Sequence, residues 1–245
     1  TAVPNRTAGL EARDKALVTF DLGYALPDIY LKRQPPPPHD PASALGRYHA
    51  SVDADAYRLI FLKEPKRAGN QKTFVVPFSK IDDVALHWPI VESMQHDGAQ
   101  IRIEPRSELT HHVIVSGLTD SSLQRLTLDG YAPALVTETA SGVFDALLNA
   151  PTTAFSHEDR AAALASRDLN LKYGQTEGRN VPTGQRLPGT GNFDARNASS
   201  RGAHIVRIVK SYVGRVCAKL RNLIAAHQQT IKQTIANRRT TPDDI

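Results

Sequence analysis

The chain has 245 residues, 40% of them apolar, and a formal net charge of +5. That is enough for one large mixed domain with a real core. No run of 18 or more apolar residues is present, so no membrane-spanning helix is expected. The one cysteine, Cys217, excludes a disulfide framework and a cysteine-based zinc site, fits a reducing, cytoplasmic setting, and reads as a small buried hydrophobe.

Residues 1–50 read as an irregular arm. Thr1–Leu10 lacks the basic and then apolar pattern of a signal peptide, and an opening Thr rather than Met reads as a piece of something longer. Glu11–Phe20 reads as a short helix or strand, and Pro35–Pro38 as a stiff polyproline spacer. Residues 51–200 carry clearer patterns. Tyr57–Leu62 predicts a strand and Lys72–Pro77 its hairpin partner, with Gly69-Asn70 as the turn. Ile81, Val84, Trp88, Val91 and Met94 recur at helical spacing, disturbed by Pro89 and stopped by Gly98. Gln100–Glu104 and His112–Val115 predict two more strands. Thr119-Asp120 starts a short helix carrying Leu123, Leu126 and Leu128, which Gly130 ends. Pro133–Thr137 and Val143–Leu148 predict strands joined by Ala140-Ser141-Gly142. Ser156 is the expected cap of a helix over His157–Leu171, with Glu158 and Asp159 in its first turn. Tyr173–Ser200, rich in Gly, Asn, Pro and Thr, predicts a long functional loop.

Residues 201–245 read as a basic amphipathic helix with a frayed tail. Ile205, Val209, Val213, Val216, Leu220, Leu223, His227, Ile231 and Ile235 step by three and four, which predicts a helix over Ala203–Arg238. Between Arg201 and Arg239 there are nine Lys or Arg and no Asp or Glu, so the remainder of the chain is net acidic. Such a segment suits a polyanion.

The order of elements predicts an α+β palm with a mixed or antiparallel sheet, followed by a basic C-terminal helical segment. In such palms, carboxylates at strand ends hold divalent metal. Phosphate-binding glycine loops, a His-Glu-x-x-His zinc helix and a complete Gly-x-Ser-x-Gly elbow are all absent. The run Asp97-Gly98, Ile101–Arg106, His112–Leu118, Gly130–Pro133, Glu138–Gly142 and Arg186–Asn192 resembles the RepB/MobA group of plasmid primases in the archaeo-eukaryotic primase superfamily. The resemblance covers about residues 57–200. It implies a palm related to RNA-recognition folds and a role in priming or mobilising plasmid or other mobile-element DNA. In the family, the strand matching His112–Val115 ends in an Asp-Asp pair. Here Ser116-Gly117 stands in its place.

Two functional expectations follow, and a third stands beside them. One is a single-stranded nucleic-acid-binding, catalytically degenerate primase scaffold. Its binding set would be Arg102, His112, Lys172, Arg179, Arg186, Asn192, Arg196, Lys210, Arg215 and Lys219, with Tyr173 and Phe193 placed either to stack on bases or to anchor the loop. The other is an active primase using Mg or Mn, with carboxylates relocated to Glu104, Glu138 and Asp145. A third is an interaction module that docks through the apolar stripe of Ala203–Arg238. The expected partners are single-stranded DNA or RNA and other replication or mobilisation proteins, with no membrane.

Overall fold

The computed structural model describes residues 41–63, 72–153, 157–174, 184–192 and 204–240, all within one compact unit, His39–Ile245. The readings of Glu11–Phe20, the polyproline spacer and the Gly69-Asn70 turn lie outside these residues. Two four-stranded sheets, antiparallel throughout, form the frame. The first has the order β2-β1-β3-β7, from β1 (Ala56–Lys63), β2 (Lys72–Ser79), β3 (Gln100–Arg106) and β7 (Gln185–Arg186). The second has the order β10-β5-β6-β4, from β4 (Thr110–Leu118), β5 (Leu135–Ala140), β6 (Val143–Pro151) and β10 (Arg207–Ser211). The short pair β8 (Gly191–Asn192) and β9 (His204–Ile205) stands apart.

Alternation along the strands puts each side chain on its layer. In the second sheet Val113, Val115, Val136, Ala146 and Leu148 join one core, while Ile114, Leu135, Leu147 and Ile208 join the other. This sheet is therefore buried on both faces, which explains its nearly unbroken apolar runs. One face packs on α4 (Asp120–Leu128), α5 (Glu158–Tyr173) and α6 (Ala218–Thr240), through Leu123, Leu126, Leu169, Leu220, Ile224 and Ile231. The other shares a core with the first sheet, through Leu59, Phe61, Ile101 and Ile103.

The helices before β3 follow the predicted period but divide in two, α2 (Ile81–Leu86) and α3 (Trp88–His96). Pro89, with no N–H to continue a helix, sits in the first turn of α3, where none is needed. Gly98 and Gly130 follow α3 and α4 at φ +77° and +87°, the left-handed turn that ends a helix. Thr119 caps α4 by accepting the Ser122 N–H. On α5 the residue before the helix is His157, at φ +67° and without a side-chain cap bond, while Ser156 lies outside the described residues. Glu158 instead takes the Thr153 N–H and hydroxyl.

Three expectations are corrected. Residues 41–50 are not irregular: α1 (Pro41–Val52) buries Leu45, Tyr48 and Val52 at steps of three and four. The small and polar residues between them dilute that signal. Tyr173 and its neighbours belong to α5 rather than to the loop, and the segment after it contributes strands β7 and β8. In place of the helix expected over Ala203–Arg238, the described residues form two strands, β9 and β10, followed by a shorter helix, α6. Ile205, Val206, Ile208 and Val209 satisfy either period, and as β-branched residues they favour a strand. The buried ones are Val206 and Ile208, two apart, whereas Val213 and Val216 are exposed. Gly214, at φ +66°, turns the chain before α6. The apolar stripe of α6 is covered inside the domain by α5 and the core, so it is not a bare docking face.

Candidate functional site

The registers of β4 and β6 slip by one residue between Val115 and Leu118. Val115 opposes Ala146 and Leu118 opposes Phe144, so Ser116 and Gly117 together face one residue, Asp145. Such a bulge re-aims side chains at the end of a strand. Gly117 adopts φ +71°, and its N–H donates to Asp145 Oδ1 at 3.1 Å. Asp145 is buried at 5% exposure and shares its face with Thr137, its cross-strand neighbour.

From the first sheet, β3 and β7 bring polar side chains to the edge of the same junction, Gln185 on the face toward the second sheet and Arg102 and Arg186, by alternation, on the other. Arg102 and Arg186 are cross-strand neighbours. Arg102 Nη1 donates to Gly184 O at 2.9 Å, and Arg186 Nη1 donates to Gln100 Oε1 at 3.1 Å. Gln185, fully buried, donates from Nε2 to Thr137 Oγ1 at 2.8 Å and so ties the two sheets together. Burial pushes the Asp145 carboxyl above the ordinary range, opposed by the Gly117 N–H and by the charges of Arg102 and Arg186. Burial also lowers the Arg102 guanidinium, opposed by Asp145. Arg102 Nε and Gln185 Oε1 are buried with no hydrogen-bond partner among the described residues. Arg102 and Arg186 thus act on the Asp145 carboxyl through their charge and form no ion pair with it.

The three candidate catalytic carboxylates do not converge. Glu104, on β3, forms an ion pair with Arg58 across the first sheet, where Arg58 and Arg106 also stack on Phe78 at 5.0 and 5.4 Å. Glu138, on β5, opposes Phe144 and binds Arg207 at 2.6 Å. Adjacent strand residues face opposite ways, so Glu138 points away from the side that Thr137 and Asp145 share. A catalytic divalent ion needs two or three carboxylates together. Among the described residues no group of three or more His, Cys, Asp or Glu could hold a metal ion. With Ser116-Gly117 at the bulge and Asp145 the one carboxylate facing it, the donors present do not fit the Mg or Mn site that the resemblance implies.

Of the candidate nucleic-acid contacts, Arg102 and Arg186 come together at the junction. His112 serves the interior: its Nδ1 meets Asn149 Oδ1 at 3.1 Å, and burial pushes the imidazole down to about 4. Asn149 in turn donates to Ser51 O. Asn192 is buried and donates to Thr139 O at 2.6 Å. Lys172 pairs with Asp129 at 2.8 Å, and Lys219 bonds the Asp129 carbonyl. Lys172 and Lys219 lie 4.8 and 5.2 Å from the Tyr173 and Tyr131 ring centres. Tyr173 is buried and hydrogen-bonded to Asp129, an anchor rather than a stacking platform. Lys210 is half-buried on β10, and the Arg215 guanidinium lies 3.4 Å from the Tyr212 ring centre. Arg179, Arg196 and Phe193 lie outside the described residues. Thr137, Gln185 and Gln100 went unread in the sequence. A polar Thr137 beside Leu135 and Val136, on a strand buried on both faces, is the signal that points to them.

This frame, two antiparallel sheets meeting at a polar junction with a helical layer behind, defines a primase-type palm. Residues 51–235 match the RepB DNA-primase N-terminal domain family, and the chain belongs to that family. A DNA primase of Acidithiobacillus ferrooxidans is 26% identical over 175 residues, covering 67% of this chain and 49% of that protein. The chain thus spans about half the length of the curated relative it matches. The fold is similar to that of the catalytic domain of primase RepB′, solved in complex with initiator DNA, with a TM-score of 0.64 and 20% identity over 82% of this chain and 99% of that one. It is also similar to the archaeo-eukaryotic primase domain of the cyanophage S-2L primase-polymerase, with a TM-score of 0.50 and 12% identity over 75% of this chain and 97% of that one. No helix among the described residues is long and apolar enough to cross a membrane.

Proposed function

We propose that this chain is a single-stranded nucleic-acid-binding member of its family, serving replication or mobilisation of a plasmid or other mobile element, with its priming chemistry lost. The observation that carries the reading is the bulge. Ser116 and Gly117 face one buried carboxylate, Asp145, and Arg102 and Arg186 lie within electrostatic reach of it. That arrangement attracts phosphate and does not assemble a two-carboxylate metal clamp. A neighbour of the same fold was solved with initiator DNA, which supports a nucleic-acid partner. Arg186 is the lead contact in this reading, with Arg102 behind it. Lys210 and Arg215, together with Arg179 and Arg196, supply sequence-independent attraction to the backbone, and Lys172 and Lys219 add long-range field.

The test is primer synthesis on a single-stranded DNA template with labelled nucleotides and Mg²⁺ or Mn²⁺, alongside template binding by the same protein. Binding without product is the expected result. Product that disappears with chelator would show an active enzyme with relocated carboxylates. Substitution of Glu104, Glu138 and Asp145 would then locate its site.

A further inference from the structure

The strand that ends at the bulge is an edge strand. In the second sheet β4 pairs with β6 on one side, and no described strand covers the other. An uncovered edge leaves backbone N–H and C=O groups without partners and lets the strand end move. At this edge α5 supplies a side chain in place of a strand. Asn170 Oδ1 accepts the Ser116 N–H at 3.0 Å, and Asn170 Nδ2 donates to Ile114 O at 2.8 Å. The carboxamide thus bonds the residue two before the bulge and the first residue of the bulge, as a neighbouring backbone would. Nδ2 also donates to Ser166 O at 2.8 Å, which holds the side chain against its own helix. Asn170 is 1% exposed, on the buried face of α5. The approach is close: a Cβ on Gly174, just past α5, would stand 2.6 Å from Ser116 O.

We propose that Asn170 is a positioning residue of the junction, holding the Ser116–Gly117 end of β4 so that the Gly117 N–H stays on Asp145 and the polar face keeps the shape that takes a template. The proposal rests on the reading of the junction as the nucleic-acid site. A general packing role would predict a loss of stability and nothing specific at β4. A positioning role predicts a local change at two named amides.

The experiment is hydrogen exchange by NMR on Asn170→Leu and Asn170→Asp, with single-stranded DNA affinity measured on the same samples. In Asn170→Leu the Ser116 and Gly117 amides exchange at least about tenfold faster, while amides of β5 and α6 keep their protection. Template affinity falls by about tenfold. Asn170→Asp keeps the size of the side chain and supplies a measurement if the leucine variant does not fold. Its protonated acid can still donate to Ile114 O and accept from Ser116, whereas its carboxylate cannot donate. At neutral pH the carboxylate, although still an acceptor for Ser116, is repelled by the Ile114 and Ser166 carbonyls and driven out of the clamp, so protection of Ser116 relative to the wild type at the same pH is retained in acid and lowered at neutral pH. Unchanged exchange at Ser116 and Gly117 in these variants would overturn the proposal. Faster exchange with unchanged template affinity would leave the clamp standing and remove the junction from the template site.

Discussion

At the sheet junction Arg102 and Arg186 act through their charge on a buried carboxylate that they do not touch, whereas beyond the ends of α4 and α5 Lys172 and Lys219 lie exposed over tyrosine rings around Asp129. Both places join basic residues to one aspartate, and charge counting does not tell them apart. Their environments do. Hydrogen bonds from Lys172 and Tyr173 hold the Asp129 carboxyl down at about 2, so this cluster is closed on itself. Burial pushes Asp145 the other way, and buried polar atoms of Arg102 and Gln185 lack partners among the described residues. The lysine cluster therefore reads as a surface fastening for α5 and α6. The arginine cluster is the one that the proposed function assigns to template phosphate.

The largest way to break this contrast is at the buried aspartate. Asp145→Ala strips the Gly117 N–H of its acceptor, a loss of about 1 to 3 kcal/mol in urea denaturation. Asp145→Asn, which keeps an acceptor, is expected to lose less than half of that.

The buried class extends to His112, whose imidazole is held at about 4, below its ordinary 6.5. The unfolded chain binds a proton between those values and the folded chain does not, so stability is full above pH 6.5 and declines as pH falls toward 4. The decline from this residue is at most about 3 kcal/mol. Asp145, held above its ordinary value, contributes with the opposite sign. The check is therefore the difference between wild-type and His112→Gln stability profiles, in which the slope from pH 6.5 to 4 flattens in the variant.

Binding sharpens the same contrast. Arg186→Ala is expected to weaken single-stranded DNA binding by about tenfold or more, and to reduce the slope of log affinity against log salt by about 1. Lys172→Ala combined with Lys219→Ala, by contrast, lowers the melting temperature slightly and changes template affinity by no more than about twofold. Equal losses of affinity at both clusters would erase the distinction.

Much of the frame was legible because its signals are local. The run of large apolar residues in Tyr57–Leu62, the hairpin around Ser141-Gly142 and the stops at Gly98 and Gly130 each act within a few residues of themselves. Ile205–Val209 was misread because its β-branched residues fit both periods, and burial by β5 settles which one wins. The junction was legible in pieces. Arg102, Arg186 and Asp145 stood out singly, but their meeting depends on strand order, and so does the separation of Glu104 from Glu138. Gln185 reaches Thr137 across 48 positions and Asn170 reaches Ser116 across 54, distances at which no local pattern operates.

In the proposed function a phosphate-attracting pair of arginines lies near the bulge, and the bulge holds no catalytic metal. Titration of Mn²⁺ into the folded protein, followed by electron paramagnetic resonance, tests it directly. Weak, non-saturating uptake, unchanged in Asp145→Asn, is the predicted result. A saturable Mn²⁺ site that disappears in Asp145→Asn would contradict it.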